Sequence, residues 1–270
     1  VSVPCTYTPE KFAGDLFPHH HCKGSADPGA KRFFGREGKG IPGWRDSLGE
    51  KDCMITVLFE NDHVLVVDKP EGISSIPERR PSRPCLLDIM SRQCPDKLFV
   101  VHRLDKEVSG VMIFARNAAA HRFLNAAFEH RRVEKTYRAL VHGTIEKDCF
   151  VIDAKVRPFG SGRMGIDAEK GRYSSTEVRV LCRGASVTLI EAYPVTGRRH
   201  QIRVHLYSTS HPVVGDLRYG QRSLQRPFGR LMLHSYKISF DLPTGERLSV
   251  EAPPPESFTR IETMLLCRDV

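Results

Sequence analysis

From Val57 onward, short apolar runs of strand length alternate with turn residues. Val57-Leu58-Phe59 and His63 to Val67 predict two strands around an Asn61-Asp62 turn, and Lys69-Pro70-Glu71-Gly72 stops the second. A helix is predicted over Leu86 to Gln93, strands over Leu98 to Val101 and Val111 to Ala115, and a longer helix over Ala118 to His130 capped by Asn117. Within that helix Ala119, Phe123, Ala127 and the adjacent Phe128 keep a helical spacing, which predicts one face packed on a sheet. In Thr136 to His142 the residues Tyr137, Ala139 and Val141 share one strand face. Strands over Ser174 to Leu181 and Ser186 to Tyr193, joined at Arg183-Gly184, are expected to pair antiparallel. A helix follows from about Arg199 to Tyr207. The chain then repeats strand (Met232 to Phe240), turn (Leu242 to Gly245), strand (Arg247 to Ala252) and a helix with Phe258, Ile261 and Leu265 inward. Strands fall in adjacent hairpins rather than in strict alternation with helices. The expected class is therefore α+β, a mixed, largely antiparallel sheet flanked by helices.

Residues 1–50 break this pattern. They are rich in Gly, Pro, His and basic side chains without a sustained apolar period, so they are read as an irregular N-terminal extension, and 51–270 as the globular domain. Val1 at the start is compatible with a processed or trimmed chain. A chain of 270 residues with 41 Lys plus Arg against 32 Asp plus Glu carries a net charge of +9, which favours a polyanionic partner; a well-solvated ordinary surface fits that charge equally well. The eight cysteines form no close pair, which predicts reduced thiols in an intracellular protein, cytoplasmic first and organellar second. The longest apolar stretches are strand-sized and broken by charge.

Two segments concentrate reactive groups. Val101-His102-Arg103-Leu104-Asp105-Lys106-Glu107-Val108-Ser109-Gly110 places a carboxylate on a polar loop that runs into the apolar strand Val111 to Ala115, so a rigid frame would hold a reachable head group. An isolated Asp in such a place is usually a turn residue that caps backbone amides. The second segment, Thr196-Gly197-Arg198-Arg199-His200-Gln201-Ile202-Arg203-Val204-His205-Leu206, puts Arg199 and Arg203 on one helical face and Ile202 and Leu206 on another. A plain basic surface helix has the same look. His200 and His205 have no acidic or cysteine ligand near them in sequence, and the Cys and His residues of 1–50 lack metal-ligand spacing, so no metal is expected.

The string HRLDKEVSG resembles the HRLD-x-x-T-S-G signature of the RluA-type pseudouridine synthases. GRRHQIRVHL, followed by His211-Pro212-Val213-Val214-Gly215-Asp216 and Tyr219-Gly220, resembles that family's second block. Asp68 to Gly72 looks like its early KP-x-G turn, and Glu134 to Gly143 like its K-x-Y-x-A strand. The match spans about Thr56 to Glu256. Two departures stand out: Val108 replaces the usual Thr, predicting a local packing change, and 1–50 hold no recognisable S4-type RNA-binding domain.

The resemblance implies an isomerase that turns uridine into pseudouridine in structured RNA, ribosomal or transfer, with RNA as partner and no cofactor. It assigns Asp105 as the essential carboxylate, nucleophile or base; Tyr137 as the ring against the target base; and Arg203 as the cation paired with Asp105. Arg103 is expected to enter the RNA stack where the nucleotide flips out, with His102, Arg199 and His200 as further RNA contacts. Lys69 is expected to brace the Asp105 loop. Phosphate-binding glycine loops of Rossmann or Walker type are absent from the sequence. Competing classes are a catalytically silent RNA-binding protein and a carboxylate-dependent glycosidase, which would release free uracil.

Overall fold

The computed structural model describes residues 31–33, 55–78, 84–160 and 162–266. The Cys and His residues of 1–50 considered above lie outside them. The described chain divides into two compact units, one drawn from Gly29–Tyr137 and Leu233–Pro255, the other from Arg138–Met232 and Glu256–Val270.

The first unit is built on strands β2 (Thr56–Glu60), β3 (Val64–Lys69), β4 (Phe99–Val100), β5 (Ser109–Ala115), β11 (Leu233–Asp241) and β12 (Arg247–Glu251), with a short β1 (Lys31–Phe33) on the edge of β12. Pairs β2/β3, β3/β5, β4/β5 and β11/β12 are antiparallel, while β5/β11 is parallel. The Asn61 carboxamide oxygen accepts from the amides of His63 and Val64, both at 2.9 Å, which closes the β2/β3 turn. β5 is buried along its whole length, as its unbroken apolar run requires of a strand covered on both faces. At its start Gly110 (φ +111°) lies against β11, where an added Cβ would stand 2.2 Å from the Ser235 carbonyl oxygen. Only glycine permits that approach.

Helix α1 (Leu86–Gln93) has its predicted bounds. Helix α2 (Ala118–Glu129) begins at Asn117, whose side chain accepts from the Ala120 amide at 2.8 Å. Its buried stripe is Ala120, Leu124 and Ala127, packed with Val64, Val66, Ile113 and Phe240, whereas Ala119 faces solvent and Phe123 and Phe128 sit at the rim. Phe123, Ala127 and Phe128 thus pack on the core as predicted, and the centre of the face lies toward Ala120 and Leu124 rather than Ala119.

Strand β6 (Glu134–His142) begins in this unit and continues into the other. Ala139, Leu140 and Val141 are buried consecutively, so the expected one-faced alternation does not hold at that end. The second unit adds β7 (Cys149–Pro158), β8 (Met164–Ile166), β9 (Arg172–Arg183) and β10 (Val187–Pro194), with antiparallel pairs β7/β8, β7/β9 and β9/β10. The hairpin over 149–166 has no counterpart in the sequence reading. In β7 only Ile152 and Val156 are buried, which leaves too faint an alternation to read. Helix α3 is Gln201–Ser208, preceded by His200 in left-handed conformation (φ 53°), and a short α4 spans Arg222–Gln225. In α5 (Glu256–Leu266) the buried positions are Phe258 and Glu262, while Ile261 and Leu265 are part-exposed. Positions 258 and 262 share a face at i, i+4, which corrects the predicted inward set.

The class is α+β with a mixed, mostly antiparallel sheet. Among the described residues no helix is long and apolar enough to cross a membrane.

Candidate active site

Asp105 sits on the loop between β4 and β5, and that loop is tied down by groups far away in sequence. The Ser75 hydroxyl donates to the Leu104 carbonyl (2.8 Å) and accepts from the Leu104 amide (3.1 Å). The Gly72 amide donates to the Lys106 carbonyl (2.8 Å), and the Val108 amide closes back on the Asp105 carbonyl (3.1 Å). Leu104 and Val108 are buried, so the residue that replaces the family's usual Thr is an apolar anchor beneath the loop. Asp105 between them stays partly exposed. Backbone fixed by hydrogen bonds and two buried anchors lets one carboxylate be held in place and still be reached.

Lys69 completes the brace. Fully buried at the end of β3, its ammonium donates to the carbonyls of Pro70 (2.8 Å), Ile73 (2.8 Å) and Lys106 (3.3 Å). Burial pushes its pKa down to about 8, opposed by the negative charges of Glu107, Asp105, Glu71 and Asp68.

Tyr137, on β6, is half-buried with its phenol enclosed. Burial drives its pKa up to about 12; a hydrogen bond with Ser235 acts against the shift and the charge of Asp105 adds to it. The Ser235 hydroxyl donates to the Val111 carbonyl at 3.2 Å, and Ser109 bonds His234 Nδ1 at 2.9 Å while His234 Nε2 lies 3.0 Å from the Ala252 carbonyl. A carbonyl only accepts, so Nε2 carries the proton, Nδ1 accepts, and Ser109 is the donor. Ser109 and Gly110 thereby lock β5 to β11 directly behind the loop.

His102 is engaged inside the protein. Its Nε2 accepts from the Ile113 amide (3.0 Å) and its ring stacks on Phe128 at 4.9 Å. Burial, then the nearby Lys135 charge, lower its pKa to about 3, so it is a neutral packing group at neutral pH. Arg103 beside it is exposed.

Arg203, Arg199 and His200 belong to the second unit. Gln201 anchors α3 through four bonds: its amide donates to the Ser175 carbonyl and Thr176 hydroxyl, and its carbonyl accepts from Thr196 and the Arg198 amide. One turn later His205, fully buried, bonds Ser174 at 2.8 Å and Thr176 at 2.9 Å; burial lowers its pKa to about 4. Gln201 and His205 share one helix face, leaving Arg203 on another. There Arg203 gives Nε and Nη2 to Asp216 at 2.8 and 2.9 Å and lies 5.3 Å from the centre of the Tyr219 ring. The Tyr219 hydroxyl accepts from the Met164 amide (3.0 Å) and bonds His200 Nδ1 (2.7 Å). Arg199 is exposed.

Asp105, Tyr137, His102 and Arg103 therefore fall in one unit, and Arg203, Arg199 and His200 in the other. Asp216 as a partner of Arg203, Tyr219 beneath it, and Ser75 and Ser235 around the loop were not singled out by sequence reasoning. The family-like block did contain Asp216 and Tyr219, and a buried Arg followed by an Asp in a turn was the available signal. Among the described residues no group of three or more His, Cys, Asp or Glu side chains could hold a metal ion.

Comparisons with known proteins agree on one family. The family model described as RNA pseudouridylate synthase matches residues 63–208. The dual-specificity RNA pseudouridine synthase RluA of Vibrio vulnificus is 36% identical over 230 residues, covering 81% of this chain and 90% of that protein. The ribosomal large subunit pseudouridine synthase C of the same organism is 32% identical over 213 residues, covering 76% of this chain and 67% of that protein. The solved structure of human RNA pseudouridylate synthase domain containing 1 matches with a TM-score of 0.65 at 32% identity, covering 75% of this chain and 84% of that one.

Proposed function

The chain belongs to the RNA pseudouridylate synthase family, and from that premise we propose that it isomerises a uridine of structured ribosomal or transfer RNA with Asp105 as its essential carboxylate. Such enzymes are isomerases: the bond from N1 to C1′ breaks, the base turns, and C5 joins C1′ as the C5 proton leaves and N1 takes up a proton. The atoms balance without oxidant or external energy. Residues 51–270 form the catalytic domain in this proposal, and 1–50 an extension of it.

The observation that carries the reading is the braced loop. A carboxylate on a loop whose backbone is held by Lys69, Ser75 and Gly72, partly exposed and electrostatically coupled to the phenol of Tyr137, has the fixed geometry that attack on a sugar or removal of its proton requires. Tyr137 would lie against the target base and assist at C5. Arg203 is the cation the resemblance pairs with Asp105; a guanidinium oriented by Asp216 and kept from solvent suits an electrostatic role better than a mobile phosphate contact. Arg103 and Arg199, both exposed, are the RNA contacts best placed to reach phosphates or the vacated stack, and His200, tethered by Tyr219, lies at the head of the same helix. His102 contributes mainly by holding the loop against β5.

Asp105→Asn tests the proposal, because it keeps shape and volume but removes the charge and the nucleophile. The variant is expected to fold normally, to bind substrate RNA within about tenfold of the parent, equivalent to roughly 1.4 kcal/mol, and to form no pseudouridine. Appreciable turnover in this variant overturns the essential-carboxylate role; release of free uracil by the parent would indicate a hydrolase instead.

A further inference from the structure

The β7–β8 hairpin and α3, both in the second unit, border an open cleft of about 430 Å³ lined by Phe159, Arg163, Met164, Val204 and Tyr207. The volume is within the range of small-molecule sites, roughly 300–1,000 Å³. Its two aromatic walls are unusually open for large side chains: Phe159 is 40% exposed and Tyr207 50%. Phe159 is held in place. The guanidinium carbon of Arg157 lies 4.1 Å from the centre of the Phe159 ring, and Arg157 is itself held by Asp167 at 2.6 Å, so one ring face is covered. Gly165 lets the ring lie across the hairpin, since a Cβ there would stand 2.6 Å from its Cε2 atom. Tyr207 leans toward Tyr219 with ring centres 6.3 Å apart, and Arg163 lies 5.4 Å from the same Tyr219 ring. Arg163 is exposed, and among the described residues no carboxylate pairs with it. Tyr219 also carries Arg203 on its ring and receives the Met164 amide, so the hairpin, the cleft and the Arg203–Asp216 pair share one tyrosine.

We propose that this cleft takes one unpaired nucleobase of the substrate RNA, outside the target uridine, stacked on Phe159 or Tyr207, with Arg163 at the adjoining phosphate. This rests on the chain acting on RNA. Open aromatic faces beside an uncompensated guanidinium are what a flat, sequence-tolerant ring attached to an anionic backbone would recognise. A preformed site loses little ordering entropy on binding. The site would favour RNA with an unpaired nucleotide near the modified position over continuous duplex.

The test uses the full chain and a fluorescent single-stranded oligouridylate of about twelve nucleotides, within the span of one stacking platform, with a duplex RNA of the same length as control. Tyr207→Ala is expected to weaken single-strand binding by on the order of tenfold, Tyr207→Phe to bind like the parent, and Arg163→Gln to flatten the slope of log K against log salt by about 0.7. Duplex binding is expected to be the same in parent and Tyr207→Ala. Because Tyr207 is half exposed, the variants are expected to melt with the parent. Equal binding by Tyr207→Ala and parent overturns the inference, as does an equal loss on both RNAs or a parent that binds only duplex. A parent that binds neither RNA instead removes the RNA reading on which the inference rests.

Discussion

Arg203 and Asp216 form a two-pronged pair, Nε to Oδ2 at 2.8 Å and Nη2 to Oδ1 at 2.9 Å, with 3% and 0% of the side chains exposed. Asp216 Oδ1 also accepts the amides of Arg218 (2.9 Å) and Tyr219 (3.1 Å), so the carboxylate organises the turn as well as the cation. Removing it takes the two-pronged acceptor from a buried positive charge and the acceptor from two amides. Asp216→Ala is therefore expected to lose about 3–5 kcal/mol of stability, read from urea unfolding, and to lose activity with it. A loss below about 1 kcal/mol, the scale of an exposed pair, would mean that Arg203 finds other compensation.

The Lys69 brace gives a separable prediction. Lys69→Met removes three hydrogen bonds and leaves the carbonyls of Pro70 and Ile73 in need of partners, while the Lys106 carbonyl keeps the Gly72 amide, but it also removes a desolvated charge. The two effects oppose each other, so the stability loss should be modest, about 2 kcal/mol. Catalysis should suffer more, because the Lys106 carbonyl is one residue from Asp105. Single-turnover rates should fall far more than RNA affinity; an equal fall in both would show that Lys69 acts on the fold as a whole rather than on the loop.

Acid should destabilise the protein through its enclosed histidines. His102 and His205 have folded pKa values near 3 and 4, below the ordinary 6.5, so between those values and 6.5 the unfolded chain binds more protons. Stability therefore falls as pH falls through that window. Asp68 opposes this: burial and Glu71 raise its pKa from 3.8 to about 6, so the folded state retains its proton there. Two histidines outweigh one aspartate. His102→Gln, which keeps an acceptor for the Ile113 amide, should remove about 2 kcal/mol of the loss between pH 7 and 5. Melting temperatures across that range decide it, and an unchanged pH slope would place the His102 pKa near its ordinary value.

Local pattern made some of this visible in the sequence and long-range pairing hid the rest. Leu86–Gln93 and the Asn117 cap were legible because helix signals lie within a few residues of the ends they set. The Asp105 loop was legible because apolar strands bracket it. Ser75, 29 residues from Leu104, and Ser235, 124 residues from Val111, leave no local mark of their contacts. His102 is an RNA contact only by resemblance, and its sequence context carries no sign that its ring stacks on Phe128 and accepts the Ile113 amide. Hairpin 149–166, whose aromatic wall borders the cleft, escaped because its outer face is wet and its inner face holds two apolar anchors, too few for a period.

Tyr137 carries two proposed roles that substitution can part. With a pKa near 12, its phenol is neutral in the free protein: at pH 7.5 fewer than about one molecule in ten thousand carries the phenolate. Help at C5 must then come from a neutral hydroxyl passing a proton, or from a pKa that falls when uridine displaces water. The ring needs neither to stack on a base. Tyr137→Phe keeps the ring and its strand position, so RNA affinity should stay within about threefold, under 1 kcal/mol, while turnover falls by about 10²- to 10⁴-fold, the usual worth of a positioned proton-transfer group. Tyr137→Ala should lose affinity as well. Uridine deuterated at C5 separates proton transfer from a merely structural loss of the Ser235 bond: if the hydroxyl moves the C5 proton, that step becomes limiting in Tyr137→Phe and its isotope effect exceeds the parent's. Slow turnover without a larger isotope effect would leave Tyr137 as a stacking residue, and the C5 proton would need another acceptor.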